Sequence, residues 1–323
     1  MTYVSRRSVR LGPVCICSLY LLATVSLLAA ASFAQITEDS VVTLTVTRAP
    51  VGGAIPPIYQ SFIVSPPPGG IGAATAVLIL LPGRTGNIQL TPASIVTTLP
   101  GSDGTLAVNS GNFVVRSRWL FAAEGFVVLT LNSATDFQQI STGLEGEQGS
   151  FAHVTDVLQV ISYARSIPGL PANTPVWLVG TSLGNAGAWV AGGVPCSSPA
   201  IPPNPPPVGP DGLVFTSPVN TAVSVSGCVV TGDVDSLLAA PLANITVPTL
   251  LFNNKMSTCA SALYSGDTAV YKALIGAPAK ANQNINIAGF PALSTDCEAL
   301  SPHGYFGIEP TVVTRISSWI IAH

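Results

Sequence analysis

Two kinds of apolar segment along the chain predict strands. Residues 41–47 alternate apolar and polar side chains, which is typical of a half-exposed strand, and residues 60–64 are expected to pair with them. Residues 76–81 are continuously apolar, as is a strand of a parallel sheet that is covered on both faces. Further apolar strands are predicted at residues 126–131, 176–179, 212–216 and 249–252.

Helical patterns lie between and after these strands. Apolar side chains at intervals of three and four predict a helix over residues 152–165, and residues 113–123 are a second candidate. A last helix is expected to begin at Pro310. The apolar positions of the first and last of these helices are Val154, Val157, Leu158, Ile161, Val312, Val313, Ile316 and Ile320. Alternating strands and helices predict an α/β fold, with a mostly parallel sheet and helices on both faces.

The segment Gly180-Thr181-Ser182-Leu183-Gly184 follows an apolar strand and precedes a helix-forming stretch. Gly-x-Ser-x-Gly in this setting is a nucleophile elbow, in which a sharp turn holds the serine in a strained backbone conformation. The flanking glycines let the strand and the helix approach each other without Cβ clashes. An ordinary Gly-rich loop with a chance serine is the alternative. The setting favours Ser182 as a catalytic nucleophile.

A serine hydroxyl needs a base that accepts its proton, and the chain contains three histidines. His323 is the last residue, and His153 at a helix start is interpreted as structural. His303 lies in a loop before the last helix and follows the serine in chain order, as the base of an α/β hydrolase does. His303 is therefore the predicted base, with an ordinary loop histidine as the alternative.

The oxyanion of an acyl-transfer reaction needs two aimed backbone donors. The N–H of Leu183 follows the predicted nucleophile and is expected to be one of them. The loop at residues 82–86 follows the strand at residues 76–81, and its Gly83 allows close backbone approach. The N–H of Arg84 is the expected second donor. An ordinary strand-to-helix turn would have the same sequence.

The N-terminus has the pattern of an export signal. Three arginines precede an apolar run at residues 14–31, and Ser32-Phe33-Ala34 ends in a small-x-small cleavage pattern. Residues 1–34 are therefore interpreted as a signal peptide, with an uncleaved membrane anchor as the alternative. Residues 35–323 are expected to form a single α/β-hydrolase domain, with a Pro-rich insertion at about 195–210. The prediction is an exported protein, periplasmic or extracellular, without stable membrane insertion after cleavage.

The net charge and the cysteines indicate which kinds of partner and ligand the protein has. Removal of three arginines leaves a chain more acidic than the full-length net charge of −3, which argues against nucleic acid as a partner. Two of the six cysteines lie in the signal peptide. The other four, in an exported protein, favour two disulfides over a metal site. Three pairings are possible, and Cys196–Cys228 with Cys259–Cys297 is preferred.

Taken together, the chain resembles the α/β-hydrolase superfamily, and more narrowly a family of exported bacterial hydrolase-like proteins. The shared blocks are the Leu-Pro-Gly loop, Val115-Arg116-Ser117-Arg118, the segment from His153 to Asp156, the Gly-Thr-Ser-x-Gly elbow and the segment from His303 to Glu309. The resemblance implies a serine hydrolase that needs no cofactor or metal. Its expected substrate is a small-molecule ester, or an amide or thioester, cleaved through an acyl-enzyme on Ser182.

One departure from the family pattern concerns the acid that orients the base. The family has His-His-x-x-Asp-x-Cys after the late strand, whereas residues 253–259 read Asn-Asn-Lys-Met-Ser-Thr-Cys. Ser257 thus replaces the aspartate. Asp267 is the first candidate for a substitute acid. The other candidate acids are Asp296 and Glu298.

Two further accounts of this departure stay open. The Ser257 hydroxyl or a water could orient His303 in a Ser–His dyad. Alternatively, the fold is catalytically silent and serves as a binding or envelope protein. Replacing the acid of a serine protease triad by a neutral amide lowers turnover by about 10⁴.

Overall fold

The structure, a computed structural model, describes residues 39–90, 111–193, 209–220 and 242–323. The predicted signal peptide and the predicted Cys196–Cys228 pair lie outside these residues, as does the Pro-rich insertion up to residue 208.

Within the described residues, eight strands form one sheet. They are β1 (Ser40–Thr45), β2 (Tyr59–Ser65), β3 (Ala76–Leu81), β4 (Phe126–Leu131), β5 (Val176–Thr181), β6 (Gly212–Thr216), β7 (Thr249–Asn254) and β8 (Lys280–Ile285). Their order across the sheet is β1-β2-β4-β3-β5-β6-β7-β8. The pairs β1–β2 and β2–β4 are antiparallel, and all the other pairs are parallel. The mostly parallel sheet that the sequence predicts is confirmed.

Helices cover both faces of this sheet. They are α1 (Phe113–Arg116), α2 (Arg118–Ala123), α3 (Phe151–Arg165), α4 (Asn185–Gly193), α5 (Tyr264–Ala273) and α6 (Glu309–Ile321). One core lies between the sheet and α3, α4 and α5, and it includes Ile79 of β3. The second core lies between the sheet and α1, α2 and α6, and it includes Leu78 of the same strand. Neighbouring residues of one strand thus enter opposite cores, which explains why the parallel strands are continuously apolar.

Two helix predictions have different outcomes. The last helix begins at Glu309 with Pro310 in its first turn, as the sequence predicts. The single helix predicted over residues 113–123 is instead two short helices that meet at Ser117. The φ and ψ of Ser117, −94° and 1°, depart from helical values and end the first helix.

A disulfide joins Cys259, which follows β7, to Cys297, with Cα atoms 4.6 Å apart. This confirms one of the two predicted pairs. The bond tethers the long loop between β8 and α6, in which His303 also lies, to the loop that follows β7. In the described part of the chain, no helix has the length and apolar character needed to cross a membrane.

A buried ion network holds α3 against the loops beside the sheet. Arg48 lies 2.6 Å from Asp136 and 2.7 Å from Asp156, and both carboxylates are fully buried. Burial alone would lower the pKa of Arg48, but its hydrogen bonds to the two carboxylates outweigh this effect and raise it. The His-x-x-Asp block of the sequence therefore contributes its aspartate to a structural network.

Candidate active site

The strand β5 ends in the sharp turn on which Ser182 lies. Residues Ser182–Gly184 form a 3₁₀ turn that leads directly into α4, and the φ of Ser182 is 52°. A non-glycine residue in this left-handed region is strained. A Cβ at Gly180 would lie 2.7 Å from the Asn185 Cα, and one at Gly184 would collide with the carbonyl oxygens of the β3–loop junction. Both glycines are therefore required for this turn.

The structure brings Ser182 and His303 together. The His303 Nε2 lies 3.0 Å from the Ser182 Oγ, within hydrogen-bonding distance. His303 lies in a second 3₁₀ turn, Pro302–Gly304, between β8 and α6. The two side chains are 121 residues apart in sequence. They meet because the turns after β5 and β8 lie at the same edge of a parallel sheet.

The other ring nitrogen of His303 has no partner in the part of the chain that the structure describes. Its Nδ1 is buried, and no described residue forms a hydrogen bond with it. Burial lowers the pKa of His303 to about 4 because the charged imidazolium loses its hydration. The neutral ring, which can accept a proton from Ser182, is therefore the form that the site favours at neutral pH.

Asp267, the first candidate acid, lies in the first turn of α5 and is fully buried. Its Oδ1 accepts a hydrogen bond from the Asn220 side chain at 2.8 Å, and burial raises the pKa of Asp267 to about 7. Among the described residues, no hydrogen bond or ion pair joins Asp267 to His303. The aspartate belongs instead to a polar cluster that connects α5 to the end of β6.

The remaining candidate residues have other contacts. Glu298 pairs with Arg84 at 3.3 Å, and the backbone carbonyl of Asp296 accepts a hydrogen bond from the Ser301 hydroxyl. The Ser257 hydroxyl is buried and accepts from the Cys259 N–H at 3.4 Å. In the described ranges, none of these three side chains forms a hydrogen bond with the imidazole.

The loop predicted to complete the oxyanion site lies directly against the elbow. A Cβ at Gly83 would lie 3.1 Å from the Ser182 Cβ and 3.4 Å from the Leu183 nitrogen. Arg84 has a φ of 55°, and within the described residues its N–H has no acceptor. The Gln148 side chain donates to the Arg84 carbonyl at 2.8 Å and thereby fixes the loop. The sequence patterns gave no signal for Gln148, which is distant in sequence.

Several side chains that the sequence analysis missed hold the turn that carries His303. The Ser301 hydroxyl accepts from the His303 N–H at 3.2 Å, which is a helix-capping bond. The Ser217 hydroxyl donates to the His303 carbonyl at 2.7 Å. The Arg116 guanidinium donates to the Gly304 carbonyl and pairs with Glu309 at 2.7 Å. Only Arg116 had a signal in the sequence, as part of the Val-Arg-Ser-Arg block.

A cleft of about 340 Å³ lies beside the two side chains. Ser182 and His303 line it together with apolar side chains such as Ile88 and Phe113. The ion pair of Arg84 with Glu298 lies at its wall, with side chains 64% and 32% exposed. Among the described lining residues, the positive charge of Arg84 is thus balanced by the negative charge of Glu298. In the described residues, no group of histidine, cysteine and acidic side chains could hold a metal ion.

No model of a protein family matches this chain, and no curated protein matches its sequence. Solved structures are similar in fold. One is an esterase of Thermogutta terrifontis with propionate bound, at TM-score 0.51 and 10% identity, covering 90% of this chain and 96% of that chain. Another is an esterase of Pyrococcus furiosus, at TM-score 0.53 and 11% identity, covering 88% and 90%. The chain has the α/β-hydrolase fold that its sequence predicts.

Proposed function

We propose that this protein is an exported serine hydrolase that cleaves a small-molecule ester, or an amide or thioester, through an acyl-enzyme on Ser182. The observation that carries the proposal is the 3.0 Å approach of the His303 Nε2 to the Ser182 Oγ, on a strained turn beside a cleft. A nucleophile within hydrogen-bonding distance of a neutral base is the arrangement that acyl transfer needs.

The proposed reaction begins when the His303 Nε2 accepts the Ser182 proton while the Oγ attacks the substrate carbonyl carbon. The N–H groups of Leu183 and Arg84 stabilise the oxyanion that forms. The tetrahedral intermediate collapses, the bond to the leaving group breaks, and the imidazolium donates its proton to the leaving alcohol. His303 then accepts a proton from water, whose oxygen attacks the acyl carbon. The bond between this carbon and the Ser182 Oγ breaks, the imidazolium donates its proton to the Oγ, and the acid is released.

The Ser–His dyad fits the geometry better than a triad with Asp267, because no described carboxylate contacts the His303 ring. The base is neutral without a partner, since burial lowers its pKa to about 4. The cost falls on the transition state, because no described carboxylate provides a counter-charge for the imidazolium. We therefore expect a slow hydrolase with the chemistry of the triad enzymes.

The volume of the cleft favours a small substrate. Its volume of about 340 Å³ is near the lower limit of roughly 300–1,000 Å³ for small-molecule sites. The propionate bound to the Thermogutta terrifontis esterase is a short acyl group of the kind that such a cleft accommodates. The Cys259–Cys297 disulfide suits the oxidising compartment of an exported protein.

Covalent labelling tests the proposal. A fluorophosphonate probe should label the purified protein, and Ser182→Ala should abolish labelling. Ser294→Ala is the matched control, since Ser294 lines the same cleft, and it should be labelled like the wild type. Equal labelling of the wild type and Ser182→Ala would exclude Ser182 as the nucleophile.

A binding protein without catalysis is the second candidate, favoured by the unpartnered His303 Nδ1. It predicts no labelling and no ester turnover by the wild type. It also predicts that Ser182→Ala binds ligands of the cleft as tightly as the wild type does, which isothermal calorimetry with short carboxylates can measure.

A further inference from the structure

The position of the His303 ring needs an explanation, because no described side chain forms a hydrogen bond with its Nδ1. In a triad, the carboxylate at this nitrogen holds the ring in place. Here the ring keeps its 3.0 Å approach to Ser182 without such a partner. Apart from the bond to Ser182, the hydrogen bonds that hold this histidine among the described residues act on the backbone of the Pro302–Gly304 turn.

Ser217 makes the shorter of the two side-chain hydrogen bonds to the backbone of His303 itself. It immediately follows β6 and is fully buried. Its hydroxyl donates to the carbonyl of His303 at 2.7 Å, and its N–H lies 3.0 Å from the Tyr305 hydroxyl. The Tyr305 hydroxyl in turn donates to the Phe252 carbonyl of β7 at 2.7 Å. One residue thus connects the base turn on both sides of Gly304 to the strands β6 and β7.

The backbone of Ser217 is in an uncommon conformation. Its φ of 41° lies in the left-handed region, which is strained for a residue with a side chain. Such strain persists only where surrounding contacts determine the conformation, and it is concentrated at functional sites. A glycine would adopt this conformation without strain, but it would lack the hydroxyl that reaches the His303 carbonyl.

We infer that Ser217 is the positioning residue for His303, and that its hydroxyl holds the base turn in the place that a triad carboxylate would otherwise secure. The catalytic meaning of this inference rests on the proposed function. The statement that Ser217 determines the position of the imidazole does not depend on that function.

Three variants distinguish an effect on the position of His303 from an effect on the stability of the fold. Ser217→Ala removes the hydroxyl, and Ser217→Gly removes it while relieving the backbone strain. Thr249→Val is the matched control, since it removes another hydroxyl-to-carbonyl bond, of 3.0 Å to Val247, at the far edge of the sheet. We expect a tenfold or larger loss of kcat in both Ser217 variants, with KM within twofold. Thr249→Val should lower Tm without changing kcat.

Nuclear magnetic resonance of the histidine rings tests the inference without catalysis. The chain has three histidines, so the His303 ring signal can be assigned by comparison with His303→Gln. In Ser217→Ala and Ser217→Gly, that signal should shift and broaden, whereas in Thr249→Val it should be unchanged. An unchanged His303 signal in a folded Ser217→Ala protein overturns the inference. Absence of Ser182-dependent labelling in the wild type would instead overturn the proposed function.

Discussion

Activity should persist well below the pH at which a triad hydrolase loses its base. The base must be neutral to accept the Ser182 proton, and burial lowers the pKa of His303 to about 4. A histidine with an ordinary pKa of about 6.5 is mostly protonated at pH 5. The acid limb of kcat/KM, which reports groups of the free enzyme, should therefore lie near pH 4.

The size of the effect follows from the fraction of neutral imidazole. At pH 5, a group with a pKa of about 4 is roughly 90% neutral, whereas one with a pKa of 6.5 is roughly 3% neutral. The protein should then retain about 30-fold more of its activity at pH 5 than an ordinary histidine base would allow. A carboxylate partner would raise the pKa of the ring and move the limb in the opposite direction.

Folding must be measured at each pH, because the same shift affects stability. The unfolded chain binds a proton at His303 near pH 6.5, whereas the folded chain does so only near pH 4. Stability from this group is therefore complete above about pH 6.5 and declines as the pH falls toward 4, by about 2 kcal/mol at pH 5.

The assay is the initial rate of a short-chain ester between pH 3.5 and 8, with product separated by chromatography and the fold followed by circular dichroism. The rates are normalised to the folded fraction. An acid limb at pH 6.5 or above in a folded protein would contradict the lowered pKa of His303, because it would show that the ring is hydrated or has a carboxylate partner.

Two further substitutions test the site and the core. Ser257→Asp places a carboxylate at the position where the family that the sequence resembles has its aspartate; kcat for the ester should rise at least tenfold, whereas the uncharged Ser257→Asn should bring no gain. Arg48→Met leaves the buried carboxylates of Asp136 and Asp156 without their cation and should cost about 3–5 kcal/mol in chemical unfolding. Arg165→Met, at a partly exposed pair, should cost about 0–1 kcal/mol, and equal losses would contradict this account.

The sequence predicts those features that depend on a short stretch of chain. Strands such as 126–131 are marked by their continuous apolar character, and the elbow is marked by glycines that the turn at Ser182 requires. The order of elements then predicts that Ser182 and His303 meet, because both follow strands of one parallel sheet. The structure places them 3.0 Å apart.

The sequence does not reveal the contacts that hold the base. Ser217 looks like any serine after a strand, and its importance depends on a φ of 41° and on a partner 86 residues away. Asp267 is close to the late strand in sequence, but the helix that carries it directs its carboxylate to Asn220. A side chain on a loop or in a first helical turn has a direction that only the packed neighbours determine.

Contacts to the backbone of His303 and a contact to its ring have different chemical consequences. If the Nε2 accepts the Ser182 proton, the neutral ring must carry its own proton on Nδ1, which is buried and has no acceptor among the described residues. An unsatisfied buried polar group costs about 1–3 kcal/mol, and Nδ1 carries this cost as a donor in the reactive tautomer. Ser217 can hold the turn but cannot offset this cost, since its hydroxyl reaches only the carbonyl of His303. A carboxylate at the ring does both. Because none of the described residues places one there, the expected turnover is low even though the serine and the imidazole are correctly placed.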